Sequence, residues 1–272
     1  MSSFKDKTWN YYWRLLATGF CFFTFGLGVV LACLALLPLE LAAGDRAKKQ
    51  RAARRLIGTM FRGFVLLMRS TGALIVRVDG EERLRSPGSK LVVANHPTLI
   101  DVVVLLSLIP DAVCIVKAEL ERSLFIRFLL RRTGYITNSS ADSLLGGCAE
   151  AFARGDSVLV FPEGTRSVPG EPLKFLRGAA QIALRCRKDL TPVVITCRPP
   201  ALLKGQKWYE IPADEPVSMR FSTGSDISID GFLTPNEGIS LASRKLTRHL
   251  TDYFHSLLSE TDQALEEHTW TS

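Results

Sequence analysis

Hydrophobic positions divide the chain into two regimes. From Leu15 to Leu39 twenty-five residues pass without a charge, enough for a helix of roughly 37 Å against the ~30 Å hydrocarbon core of a bilayer. Trp9, Tyr11, Tyr12 and Trp13 stand just before this run, where aromatic anchors sit at a membrane interface. A cleaved signal peptide is the alternative, but it calls for a shorter apolar region and a small-residue site behind it, and neither stands out. A second apolar stretch, Leu56–Val76, carries Arg62 and Arg69 seven positions apart, hence on one helical face. That pattern suits a helix lying in the interface, or the second limb of a shallow hairpin. Spanning the bilayer and dipping into one leaflet both remain open for the first helix.

After Gly72 the pattern changes to short β-rich runs alternating with helical ones. Strands are predicted at Leu74–Val78, Lys90–Ala94, Ala112–Val116, Gly134–Thr137, Ser157–Phe161, Thr191–Cys197 and Val217–Ser222. Helices are predicted near Thr98–Leu108, Leu120–Arg132, Ala141–Ala153 and Arg177–Arg187, with a long amphipathic one from Ile239 to Glu267. Such alternation specifies an α/β fold: a mixed, largely parallel central sheet flanked by helices, preceded by N-terminal membrane helices. The division is therefore residues 1–72, membrane-anchoring helices with a basic linker, and residues 73–272, the α/β body. Pro/Gly-rich stretches at Ser167–Pro172 and Arg198–Pro216 read as loops.

Charge sharpens this division. Of the 272 residues, positions 1–77 hold twelve Lys/Arg against three acids, and the remainder twenty-two against twenty-four. The basic balance belongs wholly to the N-terminal quarter, which argues against a nucleic-acid-binding body. Arg46, Lys48, Lys49, Arg51, Arg54 and Arg55 follow the first apolar run. Such a cluster is attracted to anionic headgroups, by ~1 kcal/mol per residue, and a solvated linker is its plain alternative. By the positive-inside rule, this linker and the body lie on the cytoplasmic side of the membrane. The six cysteines are scattered without C-x-x-C spacing, which fits buried small hydrophobes rather than a disulfide framework or a zinc site. No metal is expected.

In open parallel sheets, ligand chemistry collects beyond the carboxyl ends of strands. Three runs emit titratable residues there: Asn95-His96-Pro97 after LVVA, Lys117 after CIV, and Pro162-Glu163-Gly164-Thr165-Arg166 after VLVF. They form one constellation if their strands are neighbours. In NHPTLID, Asp101 follows His96 by five positions and can fold back to fix the imidazole tautomer, leaving the other ring nitrogen as a base. A histidine that merely caps a helix has the same spacing. In FPEGTRS, Arg166 is a bidentate phosphate partner and Gly164 lets backbone approach a ligand; a structural Glu163–Arg166 pair is the alternative. His249, His255 and His268 fall on the C-terminal helix, as solvated positions. With no G-x-S-x-G elbow and no Walker A loop in the sequence, a base lacking a protein nucleophile points to a bound acceptor as the nucleophile.

NHPTLID with FPEGTRS sixty-seven residues after His96 resembles the lysophospholipid acyltransferase family, typified by 1-acylglycerol-3-phosphate acyltransferase. VKAEL at Val116–Leu120, LKFLRGAA at Leu173–Ala180 and TPVV at Thr191–Val194 resemble further blocks, and the likeness covers about Val76–Arg198. It implies acyl transfer in phospholipid biosynthesis at the membrane, from an acyl-CoA or acyl carrier protein thioester to a lysophospholipid hydroxyl, lysophosphatidate first, without cofactor or metal. His96 would deprotonate the hydroxyl with Asp101 orienting it. Glu163, Gly164, Thr165 and Arg166 would hold the acceptor, with Arg166 and Lys117 at its phosphate. Membrane lipids would be met through the N-terminal helices and basic linker, at the inner membrane in a bacterium.

One block departs from the family. Neutral Asn138 stands where the family's second motif usually has a phosphate-contacting arginine, and an amide does not replace a guanidinium there. Either Lys117 and Arg166 suffice, or the acceptor is a lyso-amino-lipid of the lyso-ornithine type. A lipid hydrolase, or a non-catalytic lipid-binding member of the fold, are the readings from other classes.

Overall fold

The computed structural model describes residues 9–41, 44–109, 111–168, 170–233 and 238–269. Residues 1–8 and 42–43 of the expected N-terminal unit, and the side chain of His268, lie outside the described residues. Two long helices, α1 (Trp9–Leu41) and α2 (Arg46–Ser70), lead into β1 (Leu74–Asp79), α3 (Glu81–Arg85), β2 (Leu91–Ala94), α4 (Asp101–Leu108) and β3 (Val113–Val116). There follow α5 (Leu124–Thr133), β4 (Ile136–Thr137), α6 (Ala141–Ala153), β5 (Val158–Val160), α7 (Gly178–Cys186), β6 (Leu190–Arg198), β7 (Val217–Thr223) and α8 (Ile239–Thr269). The strands form one sheet in the order β1-β7-β6-β2-β5-β3-β4. All neighbours are parallel except β6 and β7, so β1 and β7 run against the other strands. The fold is the expected mixed, largely parallel α/β sheet with helical flanks.

The two-residue period of the central strands assigns one apolar cluster to each sheet face. Val92, Ala94 and Leu159 join α4's Val104 and Leu105, α2's Phe64, Val65 and Met68, and α1's Ala17 and Cys21. Leu91, Val93, Val158 and Val160 join α7's Ala180 and Ile182 and α8's Leu246, Leu250 and Phe254 on the other face. Strands covered on both faces read as continuous apolar runs, as LVVA and VLV do. The N-terminal helices thus share the body's core.

The basic run is a correction to the sequence reading: it is the first half of α2, not a linker. Asp45 caps the helix by accepting from Ala47 N at 2.8 Å, and three of the arginines turn to the body. Arg54 Nη2 lies 2.8 Å from Asp156 Oδ1 with both side chains buried, and its Nη1 donates to Thr133 O at 3.0 Å. Arg51 and Arg154 each reach the same carboxylate at 3.1 Å. Arg55 grips Asp111 with two bonds of 3.1 and 3.0 Å. Leu56–Val76 is likewise divided, because the helix closes at Ser70 and β1 begins at Leu74.

Helix α1 is long and apolar enough to cross a membrane, yet it lies against the body. Tyr11, Arg14, Ala17, Thr18, Cys21, Ala32 and Leu36 are buried, whereas Trp9, Trp13, Leu16, Phe20, Phe23, Leu27 and Leu34 are exposed. Arg14 donates to the carbonyls of Glu215 and Ala213, and Trp13 Nε1 donates to Thr71 O at 3.0 Å.

Candidate active site

The sheet order brings the three emitting strands side by side, since β5 lies between β2 and β3. His96, Glu163 and Lys117 therefore leave one edge of one sheet. Position 96 is held from both flanks. Asn95 is buried and exchanges two bonds with Ile195 of β6, its Nδ2 donating at 2.8 Å and its Oδ1 accepting at 2.7 Å. Toward β5, His96 N donates to Glu163 Oε1 at 2.8 Å and Ser167 N donates to His96 O at 2.7 Å. The Phe161 ring stacks on the imidazole at a centroid distance of 4.3 Å. This support leaves little freedom to the imidazole.

Asp101 folds back as the spacing predicts. Its Oδ2 is 2.9 Å from His96 Nδ1 and accepts from Thr98 N at 2.7 Å, while Oδ1 accepts from Thr98 Oγ1 at 2.5 Å. These bonds explain why α4 starts at Asp101 and not at Thr98: residues 98–100 form a turn closed by the carboxylate. The Asp101 side chain is 0% exposed and that of His96 is 20% exposed. Burial raises the Asp101 carboxyl, and the bonds from His96 and Thr98 oppose that rise. With a carboxylate on Nδ1, that nitrogen carries the ring proton, and Nε2, which has no protein partner among the described residues, presents its lone pair.

Glu163 and Arg166 do not pair with each other. Glu163 Oε1 accepts from His96 N and, at 3.0 Å, from Ser167 Oγ. Arg166 Nη1 donates to Leu202 O and Leu203 O at 3.2 and 3.0 Å, which leaves its Nε and Nη2 for a ligand. Gly164 turns at φ +66°, a conformation glycine adopts at no steric cost. Glu163, Thr165 and Arg166 line a cleft of about 660 Å³ that also meets Lys174 and Arg198. Lys117 leaves β3 exposed, two strands from His96.

Asn138 has a structural task. Its side-chain oxygen accepts from Ala118 N at 3.0 Å and its own N–H donates to Val116 O at 3.1 Å, so it ties β4 to the turn after Lys117. A guanidinium has no acceptor and could not make the first of these bonds.

Burial raises the Glu163 carboxyl above the ordinary glutamate range, against the lowering effect of the bonds from His96 N and Ser167. The native state then binds this proton more tightly than the unfolded chain, so stability falls as pH rises from the ordinary glutamate value through the raised one. Glu163→Gln keeps the acceptor for His96 N and Ser167 Oγ but removes the titration. Thermal unfolding of this variant should show a higher midpoint at neutral pH and a flatter acid-side profile; an unaltered profile would contradict the assignment.

A family model described as Acyltransferase matches residues 75–196, the segment that contains every residue of this constellation. That segment is similar to the acyltransferase family across the whole of the site. A 1-acyl-sn-glycerol-3-phosphate acyltransferase of Helicobacter pylori is 36% identical over 115 residues, 40% of this chain and 48% of that protein. The corresponding mouse protein, designated alpha, is 28% identical over 174 residues, covering 61% of this chain and 59% of its own. The chain thus spans about half the length of the curated relatives it matches. The crystal structure of the 1-acyl-sn-glycerophosphate acyltransferase PlsC from Thermotoga maritima aligns at TM-score 0.61 and 21% identity, covering 88% of this chain and 95% of that one. It shares the fold.

In this segment, the sequence reading missed the groups that hold the site: Asn95, Thr98, Phe161 and Ser167. Thr98-x-x-Asp101 has the spacing of a capping box, so Thr98 could have been found. Nothing local marks Asn95 as the partner of Ile195, which lies a hundred residues on.

Proposed function

We propose that this chain transfers an acyl group from a thioester, acyl-CoA or acyl carrier protein, to the free hydroxyl of a lysophospholipid, 1-acylglycerol-3-phosphate first. The observation that carries the reading is the His96–Asp101 pair with Nε2 unpartnered, beside a cleft that presents Arg166. His96 Nε2 takes the proton of the acceptor hydroxyl as the oxygen attacks the thioester carbonyl. The C–O bond forms, the C–S bond breaks, and the thiolate leaves with the proton returned from the imidazolium. Arg166 offers two unpaired N–H positions to the acceptor phosphate, aided by Lys117 from the neighbouring strand; Glu163 serves by holding the backbone of His96. Neither step needs a metal or cofactor.

An apolar cavity of about 350 Å³ lies between α1, α2, α4 and α5. Two of its wall residues, Val102 and Val116, adjoin Asp101 and Lys117 in the chain, which places it on the side of the sheet toward the site. It suits an acyl chain, and α1 closes it with Phe25, Gly28 and Ala32. A Cβ at Gly28 would stand 3.5 Å from Met60 Cε. Gly28→Phe should therefore shorten the preferred acyl donor while retaining turnover of short ones; an unchanged chain-length profile would rule this cavity out. The exposed apolar face of α1 supports membrane association by insertion from one side, and the basic residues 46–55 are the ground for reading the body as cytoplasmic.

Mass analysis of the lipid product tests the reading. Phosphatidate from lysophosphatidate and a long-chain acyl-CoA supports it. Free fatty acid alone would indicate hydrolysis, and product only from a lyso-amino-lipid would transfer the same chemistry to that acceptor.

A further inference from the structure

We propose that the loop between β6 and β7 is a second membrane anchor, with Trp208 and Tyr209 seated at the headgroup level of an anionic lipid surface and Lys204 and Lys207 against its phosphates. Both aromatic residues are 43% exposed, although Trp208 also packs on α1. A Cβ at Gly19 would meet the Trp208 ring at 3.0 Å, and the Phe22 ring lies 6.3 Å from it. The exposed aromatic faces are thereby held beside the exposed face of α1, where Trp9, Tyr12, Trp13, Leu16 and Phe20 are also uncovered. Tryptophan and tyrosine concentrate at the membrane–water boundary because an apolar ring is joined to a polar N–H or O–H. Loop and helix thus offer one continuous apolar-aromatic surface, gathered at the same end of α1.

Two lysines border this surface, on a loop that also carries Glu210, Asp214 and Glu215. Lys204 and Lys207 are exposed in the same loop, and Lys207 Nζ stands 5.5 Å from the Tyr209 ring centre, at the rim where phosphate groups would lie. The loop is also firmly rooted. Arg14 of α1 holds the carbonyls of Ala213 and Glu215 at one end. At the other, Leu202 stands at φ +55°, and its carbonyl accepts from Leu99 N at 3.1 Å and from Arg166 at 3.2 Å. The tip that meets lipid and the carbonyls that set Arg166 therefore belong to one loop. If the acyltransferase reading holds, its seating fixes the height of the acceptor site above the membrane; the anchor itself does not depend on that reading.

The test uses the full chain with Trp9, Trp13 and Trp270 replaced by phenylalanine, which leaves Trp208 as the sole tryptophan. It is bound to vesicles of phosphatidylcholine and phosphatidylglycerol carrying bromine either near the headgroup end or near the methyl end of the acyl chains. The expected result is a blue-shifted Trp208 emission, quenched more by the shallow bromine than by the deep one. Unquenched emission from protein that sediments with the same vesicles would overturn the proposal, because the loop would then face water or another protein. In the otherwise native chain, Trp208→Phe should remove a shallow-quenched component, and identical quenching would overturn it equally. Lys204→Gln and Lys207→Gln should each weaken binding to these anionic vesicles about fivefold and leave binding to pure phosphatidylcholine unchanged. Equal loss on both surfaces would refute the phosphate contact.

Discussion

Alanine at position 96 should lower acceptor-dependent thiol release about 10²–10⁴-fold, the usual contribution of a positioned general base, while the chain stays folded and membrane-bound. The ring is half-buried, and its removal leaves Asp101 bonded to Thr98 N and Thr98 Oγ1. The turn before α4 therefore survives. Asp101→Asn separates orientation from simple loss of the ring. An asparagine whose amide nitrogen takes the place of Oδ2 turns an N–H to Nδ1 and keeps its oxygen for Thr98 Oγ1, which drives the ring proton onto Nε2 and removes the base. A loss of about 10⁴ through the wrong tautomer is the expected scale. Circular dichroism and sedimentation with vesicles should match wild type for both variants. Turnover within a few-fold of wild type would remove His96 from the chemistry.

Asp156→Ala should be the most destabilising single change in the contact between α2 and the body. Removing one partner of a buried ion pair costs about 3–5 kcal/mol, since it leaves an uncompensated charge. Here the stranded charge is Arg54, buried with its Nη2 on Asp156, and Arg51 and Arg154 lose the same carboxylate. The denaturation midpoint should fall accordingly. Adding Arg54→Met to Asp156→Ala should recover much of the loss, because an apolar replacement of a buried pair is often neutral. Strict additivity of the two changes would show that the pair is not what holds α2. Because α2 walls the apolar cavity through Ile57, Phe61 and Phe64, loosening it should also blur acyl-chain selectivity.

What the sequence disclosed follows from how local each feature is. The runs LVVA and VLVF mark central strands because their residues are apolar on both faces, and polar residues immediately after them mark a strand-end site. His96, Asp101, Glu163 and Arg166 were legible on that ground. Strand neighbourhood was not: that β5 separates β2 from β3 is a property of the whole sheet. Nor could the arginine run be read locally, since Arg54, which pairs with buried Asp156, looks no different in sequence from Arg69, which does not. The separation of residues 1–72 from the rest likewise follows composition, whereas Phe64, Val65 and Met68 pack with Val92 and Leu159. Asn138 looked like a lost phosphate contact; its acceptor bond to Ala118 N shows what the amide does instead.

The central claim is most directly tested by thiol release from a long-chain acyl-CoA in mixed micelles, with and without lysophosphatidate, for wild type and His96→Ala. The account predicts release that requires the acceptor, vanishes in the variant and proceeds with Asn138 in place. Release without the acceptor, or equal release from both proteins, would contradict it.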